Sequence, residues 1–311
     1  MAQGLLILAF WLLLGEPLSG SGEVRAGSPS VIVVASVGVE AHRAAVEGIQ
    51  AALARTPSQV RVLDLAEARS EQKSGAALAA PGVRVIIAVG SEALEIVTAS
   101  HPAVPVICTM VLSNAANKNG SLPGAAATVS LDIPFEEMLT RLKKIFPGKT
   151  RLGIICNPAT RRNTPAQLQA RAQALGFMVR VVEAASPEQL LPALMSLKGQ
   201  VDLVWCKPDG LLYNSVTIKP LILASLENRL PLIGFSESFA RAGAALGIYP
   251  DFRDIGLQTG EAARQIMDNL PIAGPVGPRK LKLAVNQSVL RLIGIRCPAE
   301  AAGGEEMSTL R

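Results

Sequence analysis

From Ser30 to Leu292 the chain alternates strand-like and helix-like segments, and it does so in two successive series. This pattern constrains the fold more than any other feature. A strand, a helix and a second strand in succession ask for a parallel sheet, with right-handed crossovers that place helices on both faces. Val31–Ser36 (VIVVAS) and Val83–Val89 (VRVIIAV) are runs of β-branched and small apolar residues, the mark of strands buried on both sides. The first series predicts strands at Val31–Ser36, Val60–Leu65, Val83–Val89, Pro105–Met110 and Ala125–Leu131, with helices at His42–Arg55, Glu67–Ala79 and Glu92–Ser100. The second predicts strands at Arg151–Cys156, Phe177–Glu183, Val201–Cys206 and Leu232–Phe235, with helices at Phe135–Phe146, Pro165–Leu175, Pro187–Leu197 and Val216–Glu227. Ala244–Tyr249 and Leu281–Val285 read as further strands, and Ile255–Asn269 and Gln287–Leu292 as helices. The two series share element order and no sequence repeat. The fold class expected is α/β, with two doubly wound parallel-sheet lobes joined near Ser130–Pro134.

Composition agrees. Of 311 residues, 49% are hydrophobic and 18% charged, enough apolar material for two cores and too apolar for a disordered chain. Leu5–Leu14 (LLILAFWLLL) is an unbroken apolar run of ten residues, stopped by Gly15, Glu16 and Pro17. As a helix it rises only ~15 Å, about half a bilayer core, which suits a signal-peptide core better than a membrane span. No Lys or Arg precedes it, and Ser19-Gly20-Ser21-Gly22 leaves the cleavage point open. Residues 1–22 are therefore expected to be an export signal.

The net charge is +5, but the basic runs Lys143-Lys144, Arg161-Arg162 and Arg279-Lys280 are short and not interleaved with aromatics. That is a solvated basic surface, not a nucleic-acid face. Cys108, Cys156, Cys206 and Cys297 match no metal spacing. Cys156 and Cys206 each end an expected strand, so a disulfide between them and two buried free thiols both remain open. No cofactor and no metal are expected.

In an open parallel sheet, ligands sit beyond the C-terminal ends of the strands. The loops there carry Ser36, then Gly90-Ser91, then Thr109, Ser113 and Asn114 in the first series. In the second they carry Asn157 and Thr160, Lys207 and Asp209, and Ser236-Glu237-Ser238. Hydroxyls, amides and exposed backbone are the chemistry of hydrogen-bonding a small polar molecule. Each position also has a structural use: Ser91 can cap its helix, Asn157 and Thr160 can build a turn, and Asp209-Gly210 is a common turn pair. There is no GxxxxGK[ST], no dinucleotide fingerprint and no GxSxG. His42 and His101 are expected away from the strand ends, so a nucleophile has no base beside it.

The stretches IIAVGSEAL (86–94), RLGIICNPAT (151–160), PLIGFSESFARAGAALGIYPDFRDIGLQTGEAA (231–263) and KLKLAVNQSVLRLIGI (280–295), in that order, resemble the substrate-binding proteins of ABC transporters with the type I periplasmic fold, in the branch that includes aromatic-amino-acid uptake. The resemblance covers nearly the whole chain after the apolar leader. It implies a monomeric, non-enzymatic periplasmic protein that closes on a small-molecule ligand through a three-segment hinge and meets a membrane permease. It places Ser36, Ser91 and Thr109 of the first lobe, and Asn157, Thr160, Asp209 and Ser236 of the second, around that ligand, with Ser113 in the loop after Thr109. It implies a first lobe of 28–130 plus 245–272, a second of 131–244 plus 279–298, and a flexible tail at 299–311. Val111-Leu112-Ser113-Asn114 stands where the family carries an Asp-Pro pair, and Lys207 adds a positive charge. A ligand-sensing module and a homologue that has lost binding are the other readings of the same chain, and a doubly wound enzyme is a third.

Overall fold

The computed structural model describes residues 30–54, 56, 58–74, 78, 80–112, 122–160, 163–271, 276–295 and 307–310. The apolar leader, Ser113 and Cys297 lie outside them.

The first lobe is built from β1 (Val31–Ala35), α1 (Glu40–Leu53), β2 (Val60–Asp64), α2 (Leu65–Ser74), β3 (Val85–Val89), α3 (Ser91–Ala99), β4 (Val106–Val111) and β5 (Ala127–Ser130). Its sheet has the order β2-β1-β3-β4-β5, all parallel. Alternation along the strands feeds two cores. Val31, Val33, Val85 and Ile87 pack against α1, while Ile32, Val34, Ile86 and Ala88 pack against α2 and α3. This is the physical meaning of the continuous apolar runs, since both faces of each central strand are covered.

The second lobe contains α4 (Phe135–Ile145), β6 (Arg151–Cys156), α5 (Pro165–Gln173), β7 (Met178–Glu183), α6 (Leu190–Ser196), β8 (Leu203–Cys206), α7 (Ile218–Glu227), β9 (Leu232–Gly234), α8 (Glu237–Ala242) and β10 (Leu246–Pro250). After α9 (Phe252–Met267) come β11 (Leu281–Asn286), α10 (Gln287–Leu292) and β12 (Met307–Leu310). The sheet order is β12-β11-β10-β9-β8-β6-β7, parallel except where β10 meets β11. No helix of the described residues is long and apolar enough to cross a membrane.

Several boundaries move for local reasons. β2 runs into α2 without a loop, because the Asp64 carboxylate accepts from Ala66 N at 3.4 Å while Glu67 Oε2 accepts from Asp64 N at 3.0 Å. This reciprocal cap starts the helix two residues before Glu67. α9 begins at Phe252 because Asp251 Oδ1 accepts from Arg253 N at 3.0 Å and Asp254 N at 3.1 Å. The Ser236-Glu237-Ser238 stretch, expected as loop, opens α8.

The segment 245–272 does not belong wholly to the first lobe. β10, buried at every residue, lies between β9 and β11 and completes the second sheet. Only α9 crosses, packing on α1 and on β3, β4 and β5. α1 and α9 meet backbone to backbone where Gly48 of α1 faces Arg253, Gly256 and Leu257, and where Gly256 and Gly260 of α9 face Ala45 and Ala52. A Cβ on Gly256 would lie 2.7 Å from the Ala45 carbonyl carbon, and one on Gly260 2.6 Å from Ala52 Cβ. The tail at 299–311 is also not featureless. Met307–Leu310 pairs in parallel with β11, and Leu310 is buried against Ala240, Tyr249 and Ala284. A short β-forming segment placed there covers what would otherwise be an open sheet edge.

Three segments cross between the lobes: Leu131–Pro134, the step from Pro250 to Asp251, and 276–280. They lie side by side. Ser130 N donates to Val276 O at 2.9 Å, Val276 N to Thr128 O at 3.0 Å, and Asp251 N to Lys280 O at 3.0 Å. Arg279 clamps the third crossing to α9 through Asp254 (3.5 Å) and Glu261 (2.8 Å).

Candidate functional site

A cavity of about 200 Å³ opens at the C-terminal ends of β6 and β8, where the second lobe meets the first crossing segment. Its apolar wall begins with Ile154 and Trp205, which are register partners on neighbouring strands and so share one face of the sheet. Phe135, at the start of α4, stacks on Trp205 with ring centroids 5.9 Å apart and planes at 13°. Arg171 of α5 lies 5.5 Å from the Phe135 centroid. Its guanidinium is held by both oxygens of Glu136, at 2.5 and 2.7 Å. That hydrogen bond is the main reason the Glu136 carboxyl sits below its ordinary range, and it raises Arg171 in turn.

The polar side comes from two loops. After β6, Asn157 Oδ1 accepts from Ala159 N at 2.9 Å and shapes the turn. After β8, Asp209 Oδ1 accepts from Leu211 N at 3.0 Å and Leu212 N at 3.1 Å. Thr160 Oγ1 donates to Asp209 Oδ2 at 3.1 Å and ties the loops together. Asn163 and Lys207 complete this wall; Asp132 and Ile133 enter from the crossing segment, and Leu112 from the first lobe.

Of the residues singled out from sequence, Asn157, Thr160 and Asp209 therefore gather at one cavity, each with a turn-building role as well. The others do not join them. Thr109 is fully buried, and its hydroxyl accepts from Thr259 Oγ1 at 2.9 Å, so it binds α9 to β4 instead of facing the cleft. Ser91 is the first residue of α3 and does not cap it; Gly90 holds that place with φ 93°, a conformation suited to glycine. Ser91 borders a separate hollow with Leu94 and Met110. Ser36 is half-buried at the end of β1, away from the cavity lining. Ser236 is the N-cap of α8, its Oγ accepting from Phe239 N at 3.1 Å. Ser113 is outside the described residues.

His42 departs from expectation. Its ring packs against Gly90 at the C-terminal end of β3, where an added Cβ would stand 3.1 Å from the imidazole Cε1. Burial lowers its pKa, and its enclosed Nδ1 has no hydrogen-bond partner among the described residues. His101 follows α3 and is exposed at the opposite end of the sheet.

The cysteines are free thiols at Cys108, Cys156 and Cys206. Register explains why Cys156 and Cys206 stay apart. Ile155 pairs with Cys206, so Cys206 shares the face of Ile155 while Cys156 points to the other. They accordingly lie in different cores.

Phe135, Arg171, Trp205, Leu112 and Ile133 were not read from sequence. Attention to residues beyond the strand ends passed over Trp205, which is still inside β8, and helix residues that reach the cavity from α4 and α5. The one available signal was a lone tryptophan among aliphatic strand residues.

Residues 30–302 match the family model described as ABC transporter substrate binding protein. Among curated proteins, a tyrosine-binding protein of Clostridioides difficile (strain R20291) is 21% identical over 182 residues, covering 57% of this chain and 51% of the relative. The chain thus matches about half the length of that relative. Among solved structures, a ligand-free, open substrate-binding protein with adhesive properties from Clostridium difficile superposes with TM-score 0.65 at 16% identity, over 90% of this chain and 98% of that one. An ABC domain in complex with L-Trp from Streptococcus pneumonia superposes with TM-score 0.61 at 14% identity, over 91% and 100%. These likenesses establish the type I periplasmic-binding fold that the two parallel sheets and three crossings already describe. With both lobes inside the matched span, the chain belongs to the ABC transporter substrate binding protein family.

Proposed function

We propose that the chain is the extracytoplasmic solute-binding component of an ABC-type importer. It takes one small polar or amino-acid-like molecule into the interlobe cleft, releases it unchanged, and presents its closed form to a membrane permease as a monomer. The observation that carries this reading is the cavity at the strand ends of the second lobe, bounded by a crossing segment and reached from the first lobe by Leu112. Ligand pockets commonly hold about 300–1,000 Å³; the smaller space here suits a site that the first lobe completes by rotating about the crossings. The relatives named for tyrosine and bound to L-Trp support an amino-acid-like ligand. Residues 1–22 supply the export signal and place the protein in the periplasm.

Isothermal titration and thermal-shift screening over amino acids and related solutes test this. In a chain lacking residues 1–22, Trp205 is the sole tryptophan, because the other is Trp11. Its stacked ring makes intrinsic fluorescence a local reporter. The expected result is one ligand per chain with a Trp205 signal change. Flat responses across the screen, or turnover of the solute, defeat the reading.

A further inference from the structure

We infer that Phe135 is the residue that sets ligand shape: its ring takes the place on Trp205 that an aromatic ligand would use, and it confines the site to solutes with an aliphatic body. This rests on the solute-binding reading above and narrows it. The carrying observation is that the aromatic surface of the cavity is already used by the protein itself.

Among the described residues, the aromatic lining of the cavity is Phe135 and Trp205. The two rings lie nearly parallel, 5.9 Å apart between centroids, which is the offset stack that either would otherwise offer to an incoming ring. Each residue is only 6% exposed, so little of either ring is left for a ligand to cover. Both also belong to the same packed core of the second lobe. The backbone of Phe135 is fixed, because it is the first residue of α4 and Met138 N donates to Pro134 O at 3.0 Å in that turn. The side chain is fixed as well. Trp205 stacks on it, and the Arg171 guanidinium lies over it at 5.5 Å, itself held by both oxygens of Glu136.

An aromatic ligand would therefore have to displace Phe135, giving up the stack on Trp205 and the contact with Arg171 together. An aliphatic body has no such requirement. Ile133, Ile154 and Leu168 complete the apolar end of the cavity, and branched side chains meet them through ordinary van der Waals contact. The space is also small, about 200 Å³ with Phe135 in place. The inference concerns this apolar end alone. The polar wall of Asn157, Asn163, Lys207 and Asp209 offers groups for a ligand's ammonium and for its carboxylate alike.

The test holds the polar head constant and varies the body: valine, leucine, phenylalanine and tryptophan, each titrated calorimetrically into the full chain and into Phe135→Ala and Phe135→Leu. The unmutated chain should bind valine or leucine at least about 10-fold more tightly than phenylalanine or tryptophan, within the range by which an apolar pocket discriminates on size. Phe135→Ala should shift the leucine-to-phenylalanine ratio toward phenylalanine by a similar factor. Phe135→Leu, which keeps the core apolar, should shift it the same way by less. The preference is read on the unmutated chain, so it survives a variant that fails to fold. Tighter binding of phenylalanine or tryptophan than of leucine, a ratio unmoved by both substitutions, or binding only of solutes outside this series overturns the inference and leaves solute binding standing. No binding in this series or in the wider solute screen overturns both.

Discussion

Gly256→Ala adds one carbon where α1 and α9 leave no room for it. The new Cβ would stand 2.7 Å from the Ala45 carbonyl carbon and 2.9 Å from Ala45 Cα, and nearer still to the carbonyl oxygen. Non-bonded carbons settle about 3.5–4.0 Å apart, so the helices must part by about 1 Å. The obstructing atoms are backbone, so no side chain can rotate away. Overpacking of this kind costs about 1–3 kcal/mol, and a clash with backbone belongs at the upper end. Alanine's better helix propensity returns about 1 kcal/mol. The net expectation is a loss of about 2 kcal/mol, or roughly 4–8 °C in Tm. Gly38→Ala is the control, because a Cβ there meets nothing within 4 Å. Thermal and urea unfolding followed by circular dichroism read both variants. A Gly256→Ala Tm equal to or above that of the parent would refute the claim that glycine sets the spacing of these helices.

Burial holds His42 below its ordinary value of 6.5, so between that value and the lower folded one the unfolded chain binds more protons, and stability rises with pH across this window. The Tm should therefore fall as pH drops below about 6.5, and His42→Gln should flatten that part of the profile; an identical slope in the variant would contradict the assignment. Burial pushes the thiols of Cys108 and Cys206 up to about 12, so alkylation with peptide mapping should label them only after unfolding, and a Cys156–Cys206 bridge found by non-reducing mass analysis would refute the strand register. Deleting 303–311 uncovers the β11 edge and removes the buried Leu310, which should cost about 2 kcal/mol and yield larger species on size exclusion; unchanged melting and elution would show that β12 contributes nothing.

The sequence was most legible where covalent order and local chemistry decide. The runs VIVVA, VIIAV and RLGIIC each became a strand within two residues of the expected bounds. Boundaries slipped where a side chain caps at a distance the pattern does not show, as Asp64 and Asp251 do for α2 and α9. The site was legible only in its loops. Asn157, Thr160 and Asp209 were found because turn-forming polar residues after strand ends are visible in one dimension. Thr109 is polar like them, yet it lies inside β4, and its side chain is spent on Thr259 of α9.

By itself the sequence determined two βαβ series, their parallel sheets and the polar turns that carry Asn157, Thr160 and Asp209, because apolar periodicity and turn chemistry act over a few residues. Only the tertiary structure decided that β10 stays in the second sheet while α9 crosses, that Met307–Leu310 returns to cover an edge, and that Phe135, Arg171 and Trp205 meet at one cavity. Those outcomes depend on which faces are left unburied once the sheets assemble, and on residues far apart in the chain competing to cover them.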